Sequence, residues 1–493
     1  MFGPGVSGTS LIARIIRTHR DCTARTSRGG LRPYPSRSRH RSFGAPFAET
    51  VALESGMAIS AAQLPDKHGD YGTIAALRNR WWIVAASVIG LAVGQGTIEL
   101  YCFGVFLKPL GDDIGLTRGT LSSGLLMASV ITALATPIVG LLIDRYGCRT
   151  VMLPGIAAFA LAIAARSTMQ SSPLPLVYVL FSLSGVFGAV QTPIIYAAIV
   201  CKWFDRERGL ALGLAMAGTG LGVIVVPQIV NFFIHAAGWR SAYLFLGAVI
   251  FACAFLPVAL FVREPSASDR AQSDIPGNAA NLLGSTIAEA VTRSWRFWSL
   301  GLAFLVGGIA IFGTLVHAVA ILADRGIAAN AAVAALSVAG VAMIVGRVAS
   351  GCCLDRFHGP YVAIASFLVP MAGIALLASG ISGLAPFIGI LLCGTRMGAQ
   401  IGLQPFFASR YFGLKSIGAI SGAMFSLFLI GTGVGPYISG VCFDIWHSYV
   451  PALVFYVIAL GIGSVLFVPL GPYPFSAVRG QRRSFTEQRA KQS

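Results

Sequence analysis

Twelve apolar stretches of about 20 residues, each long enough to cross about 30 Å of hydrocarbon, leave this chain few ways to fold. They begin near Trp81, Leu121, Val151, Leu174, Gly209 and Ser241, and again near Phe297, Ala331, Tyr361, Leu384, Ile417 and Tyr449. Charged residues make up only 11% of the sequence against 55% hydrophobic, and the mean hydropathy is +0.75. Such a chain belongs in lipid and not among soluble domains. The expected fold is an all-α membrane protein whose twelve transmembrane helices form two six-helix bundles, residues 81–262 and 297–472. An Arg-rich extension (1–80), a central loop (263–296) and a basic tail (473–493) lie outside them.

The basic residues orient the spans. Arg145, Arg149, Lys202, Arg206, Arg208, Arg356, Arg410 and Lys415 all follow even-numbered segments, on the side of the central loop with Arg263, Arg270, Arg293 and Arg296. The positive-inside rule makes that side, and both termini, cytoplasmic. The opposite loops hold only Lys108, Arg118, Arg240 and Arg325. The net charge of +17 thus follows from membrane orientation and two basic tails, and gives no reason to invoke nucleic acid. The nine cysteines lack metal-ligand spacing and suggest no disulfide framework; no cofactor is expected. Residues 1–56 carry nine arginines with much Ser, Gly and Pro. They read either as an organellar transit peptide or, the preferred reading, as an over-long start with initiation at Met57.

One pattern occurs twice. Gly140-Leu-Leu-Ile-Asp144-Arg145-Tyr-Gly-Cys-Arg149 closes the second segment, and a worn copy, Gly351-Cys-Cys-Leu-Asp355-Arg356-Phe357, closes the eighth. Internal repeats of this kind mark secondary transporters. The first copy resembles the loop signature between helices two and three of the major facilitator superfamily, and the second sits where that superfamily keeps its weaker copy. The resemblance implies that Asp144 and Asp355 face helix N-termini of the opposite half. Arg145, Arg149 and Arg356 would add ion pairs to an inner gate. Plain positive-inside anchoring is the alternative.

The run from Trp203 to Gly222, an aromatic pair and charges leading into a Gly/Ala-rich helix, resembles the fifth-helix signature of monocarboxylate transporters and their oxalate/formate antiporter relatives. Phe103 to Leu110, Gly238-Trp239-Arg240 and Arg410 to Leu414 look similar to the same group. No metalloprotease, phosphate-loop or nucleophile-elbow motif appears, so an enzyme is not expected.

Ionisable groups inside spans are costly and persist mainly where they work. Arg347 lies eight residues before Asp355, about 12 Å from the helix end. Its setting matches the eighth-helix pattern whose arginine, the resemblance implies, binds substrate carboxylate through the guanidinium fork. Met343 stands where the animal monocarboxylate carriers have a proton-partner aspartate. Arg396 sits mid-helix and is expected either in the substrate site or paired with Glu99 or backbone carbonyls. Glu99 is a candidate proton-coupling group, with a permanent arginine pair as the alternative. Arg166 is expected near the outer end of the third helix, snorkelling to water. His317 is a hydrogen-bonding core residue or a proton relay, and Tyr101, Gln191 and Gln404 could add neutral hydrogen bonds to substrate. Phe103, Phe312 and Phe406 are expected to pack. These readings point to a monomeric carrier in the plasma (inner) membrane, moving a small organic anion by alternating access with proton coupling or exchange. A drug or metabolite efflux carrier of the same fold and a non-transporting receptor are the alternatives.

Overall fold

The computed structural model describes residues 80–169, 174–204, 207–263, 284–413 and 415–475. Helix dominates these residues. The first half begins with α1 (81–114), which runs as Trp81–Ala92, loosens at Val93–Gln95, continues as a π-helical Gly96–Tyr101 and ends as Phe103–Ile114. Next come α2 (Arg118–Tyr146), α3 (Cys148–Ala165, closing in a 3-10 turn Arg166–Thr168) and α4 (Leu174–Trp203). α4 breaks at Gln191–Thr192, where Pro193 at the first helical position restarts it, a site that has no N–H to lose.

α5 (208–237) and α6 (239–261) form one stretch that turns at Gly238, φ 80°, a backbone state glycine takes without a Cβ penalty. The second half holds α7 (Trp295–Val316, extended by Ala318–Ala323 after an interruption at His317), α8 (Ala329–Arg356), α9 (Gly359–Ala378), α10 (Ala385–Phe412), α11 (Ile417–Trp446) and α12 (Val450–Val465). Among the described residues, eleven helical stretches are long and apolar enough to span a bilayer, and the one from Gly209 to Phe261 contains the turn. Twelve crossings result, as the sequence predicts.

The central loop ends in a short helix, Ile287–Arg293, started by a capping box between Thr286 and Glu289; hydrogen bonds from Thr286 hold the Glu289 carboxyl below its usual range. Past α12, Tyr473 accepts a bond from the Gly359 N–H at 2.6 Å and Phe475 N–H donates to Arg410 O at 3.2 Å. The Arg-rich extension lies outside the described residues.

Within the halves, α1 packs on α5, α2 on α4 and α3 on α6, while α7 packs on α11, α8 on α10, and α9 on α10 and α12. Between the halves, α2 meets α11 and α5 meets α8. The α2–α11 seam runs from Gly119 N–H, which donates to Asp444 Oδ2 at 2.8 Å, to Ser426 Oγ, which donates to Ala133 O at 3.1 Å. The α5–α8 seam is held by Asn231 with Asn330 at 2.9 Å and Gln228 with Ser337 at 3.0 Å. Beyond Ala133, α2 presents Leu134, Ile138 and Leu141 as exposed side chains. The halves therefore close on each other at the Arg118 end of the bundle. Exposed Leu, Val and Ile along most spans suit a lipid-facing perimeter.

Candidate functional site

Arg347 lies on α8 about midway between the seam and the Asp144 end. Its backbone is fixed by α10: at Gly398 a Cβ would collide with Met343 O and Arg347 N, so only glycine permits this approach. The guanidinium is half-buried, and its Nε and Nη2 have no acceptor among the described residues. Across the gap, Tyr101 of α1 lies within electrostatic reach of it. The Tyr101 ring meets Phe312 of α7 edge-on at 5.8 Å, and Phe312 meets Phe428 of α11 at 5.9 Å. Phe312 thus packs as expected. Arg347 and Tyr101, two of the sequence-predicted site residues, come from opposite halves and lie within electrostatic reach of each other, with Tyr101 in an aromatic row. This arrangement offers a planar fork of donors to an anion.

Gln404 and Gln400 of α10 are buried, each with an Nε2 lacking an acceptor among the described residues. Gln191, at the break in α4, accepts from Tyr196 Oη at 2.7 Å, and its Nε2 is likewise unmatched.

Glu99 and Tyr101 are two residues apart on α1 and face different ways. Glu99 turns into the first half, where Arg166 Nη2 donates to both its oxygens, at 2.8 and 2.9 Å. The same nitrogen donates to Ser184 Oγ at 2.6 Å, and the guanidinium stacks on Phe181 at 3.8 Å. Both ionic side chains are almost wholly inaccessible, at 0% and 2% exposure. The expectation that Arg166 snorkels to water is therefore wrong: the 3-10 turn at the end of α3 folds it inward onto a buried carboxylate. The partner of Glu99 is Arg166 and not Arg396. Arg396 faces Phe367 of α9 at 4.1 Å and donates to no backbone carbonyl among the described residues.

His317 sits in the interruption of α7, fully buried. Its Nε2 lies 3.0 Å from Pro436 O, which can only accept, and 3.2 Å from Ser122 Oγ. That leaves Nδ1 to accept from Tyr449 Oη at 3.1 Å. Tyr449 Oη in turn receives Arg118 Nη1 at 2.7 Å. Arg118 also grips Asp324 with two bonds, 2.6 and 3.1 Å, and lies over the Phe443 ring at 3.7 Å. This clasp joins α2 to α7, α11 and α12 across the two halves. Sequence reading counted Arg118 only as a loop charge. On the same face, Arg240 and Trp239 hydrogen-bond Asp113 and hold its carboxyl below the usual range.

At the other end, Asp144, Arg145, Arg149, Asp355 and Arg356 are all exposed. None makes an ion pair among the described residues; Arg145 only stacks on Tyr146. The predicted latch partners are not brought together here, whereas the Arg118 clasp is closed.

A family model described as Major Facilitator Superfamily matches residues 89–436. The chain belongs to that superfamily. Among its relatives, monocarboxylate transporter 11 of Mus musculus is 26% identical over 380 residues, covering 74% of this chain and 81% of its own length. The oxalate:formate antiporter of Oxalobacter formigenes is 25% identical over 234 residues, 46% of this chain and 52% of that protein. The fold is also similar to the solved structure of a bacterial homologue of the human lysosomal transporter Spinster, with TM-score 0.59 and 16% identity over 79% of this chain and 96% of that one. As members of this superfamily are transporters, an integral membrane carrier and not an enzyme is what the family implies.

Proposed function

We propose that this superfamily member moves a small organic monocarboxylate-like anion by alternating access, and that Arg347 is its carboxylate anchor. The observation that carries the reading is the half-buried Arg347 guanidinium, with two nitrogens lacking acceptors among the described residues and within electrostatic reach of Tyr101 of the other half. The named activities of the monocarboxylate and oxalate:formate relatives agree with an anionic substrate. Tyr101 and Gln191 would supply neutral hydrogen bonds, and the Phe312–Phe428 wall would pack the apolar part of the substrate.

The closed Arg118 end and the unlatched Asp144 end correspond to one state of the cycle. With the positive-inside assignment, the Asp144 end faces the cytoplasm and this is the inward-open state. Asp144, Arg145, Arg149, Asp355 and Arg356 would engage when that end closes. Of the two candidate coupling groups, His317 is the better placed. A second proton on Nδ1 would turn it into a donor toward a Tyr449 oxygen that already receives the Arg118 N–H, and would bring a positive charge toward Arg118. Protonation would therefore loosen the clasp. Glu99, held by Arg166, would serve as a structural counterion.

Proteoliposomes carrying the purified chain test the substrate reading. Saturable uptake of labelled short monocarboxylates, with no uptake of the matching amides, is expected. Equal uptake of acids and amides, or binding without flux, would refute it.

A further inference from the structure

Each half buries an arginine in its own core, and among the described residues only the first of the two has a carboxylate partner. In the first half Arg166 stacks on Phe181 of α4 and neutralises Glu99 of α1. In the second, Arg396 stacks on Phe367 of α9, and α7 contributes Gly307, where a Cβ would lie 2.7 Å from Nη2. The guanidinium thus rests against α7, the first helix of its half as α1 is of the other, and meets a glycine there instead of an acid. Arg396 is 1% exposed, and its Nε, Nη1 and Nη2 all lack acceptors among the described residues.

The described acids of the second half are otherwise engaged or exposed. Asp324 is taken by Arg118, Asp444 by the Gly119 N–H, Glu289 by its capping box, and Asp355 is exposed. Arginine cannot escape by losing its proton, and an uncompensated buried charge is strongly unfavourable. One turn along α10, on the same face, the buried Gln400 holds a second unmatched donor, Nε2. Two sets of donors on one buried face ask for an acceptor that carries negative charge.

We propose that Arg396 and Gln400 form a binding site for a small monoanion, which plays in the second half the part that Glu99 plays in the first. The site is distinct from the Arg347 anchor. α10 turns Gly398 onto the α8 backbone at Arg347, and residue 396, two positions away, points to the other side of the helix. The donor set suits a halide or the carboxylate end of a short acid; the test separates these two sources.

The full chain is purified in nanodiscs and its melting temperature is read in chloride, acetate and the bulkier gluconate at equal ionic strength. Wild type is expected to melt higher in chloride than in gluconate, by about 2 °C or more and saturably. Arg396→Gln should lose the response, whereas Arg347→Lys should keep it. Gln400→Glu, which supplies an internal carboxylate, should melt without regard to the anion. A response to acetate but not chloride, lost in Arg396→Gln and kept in Arg347→Lys, would support the site with substrate carboxylate as its ligand. Identical wild-type melting in all three anions, or an Arg396→Gln response equal to wild type, overturns the proposal. If Arg396→Gln does not fold, the comparison of wild type with Gln400→Glu still decides.

Discussion

Replacing Glu99 by leucine removes both oxygens that Arg166 Nη2 engages at 2.8 and 2.9 Å and strands a guanidinium that is 2% exposed. Breaking a buried pair from one side costs about 3–5 kcal/mol. The surviving Ser184 bond and the Phe181 ring already act in the wild type, so they offset none of this loss. Glu99→Gln keeps one acceptor, and a hydrogen bond from a charged donor recovers about 1.5–3 kcal/mol of it. Its expected cost is about 2 kcal/mol. Glu99→Leu combined with Arg166→Met replaces both ions by apolar groups of similar reach, which is often neutral. Half-times of heat inactivation in detergent, read by size-exclusion fluorescence because unfolding of such proteins is commonly irreversible, should rank wild type and the double variant together, then Glu99→Gln, then Glu99→Leu. The reasoning fails if the double variant is no better than Glu99→Leu. It fails equally if Glu99→Gln is as stable as wild type yet loses uptake driven by a pH gradient, for then Glu99 carries the coupling proton.

Arg118→Ala should open the clasp. The pair is partly exposed, at 16% and 28%, so about 1 kcal/mol is assigned to it, or roughly a fivefold shift in population; labelling of a cysteine introduced at the Arg118 end should rise accordingly, and unchanged labelling would count against gating there. Acid on that side should have the same effect in wild type, since a proton on His317 Nδ1 competes with the Tyr449 bond, while His317→Gln should label independently of pH. Asp144→Asn should raise accessibility at the Asp144 end by weakening the latch of the opposite state, and a fall would reverse the assignment of the two gates.

The spans and their number were readable because lipid makes hydropathy and length decisive, and the turn at Gly238 was marked by Gly-Trp-Arg between two apolar runs. Arg347 was readable from its depth in α8. Nearness to the end of a span suggests a route to water for Arg166, yet its side chain turns inward and is 2% exposed. The curl of α3 and the rings and carboxylate around it are tertiary facts with no local trace. The Arg118–Asp324 clasp joins residues 206 positions apart, and each looked like an ordinary loop charge. The doubled Asp-Arg pattern was visible as a motif, but a gate forms only in one state of a cycle, and here the opposite end is the closed one. Arg396 was recognised as unusual; that it faces the core of its own half, and not Arg347, depends on which side of α10 meets α8.

The role of Arg347 is tested most directly by the concentration dependence of carboxylate uptake in proteoliposomes for wild type and Arg347→Lys at matched protein levels. Lysine keeps the charge but loses the planar fork. The account predicts a rise of about tenfold or more in the half-saturating carboxylate concentration, equivalent to about 1.4 kcal/mol of lost binding. Uptake by Arg347→Lys with an unchanged half-saturating concentration would contradict it.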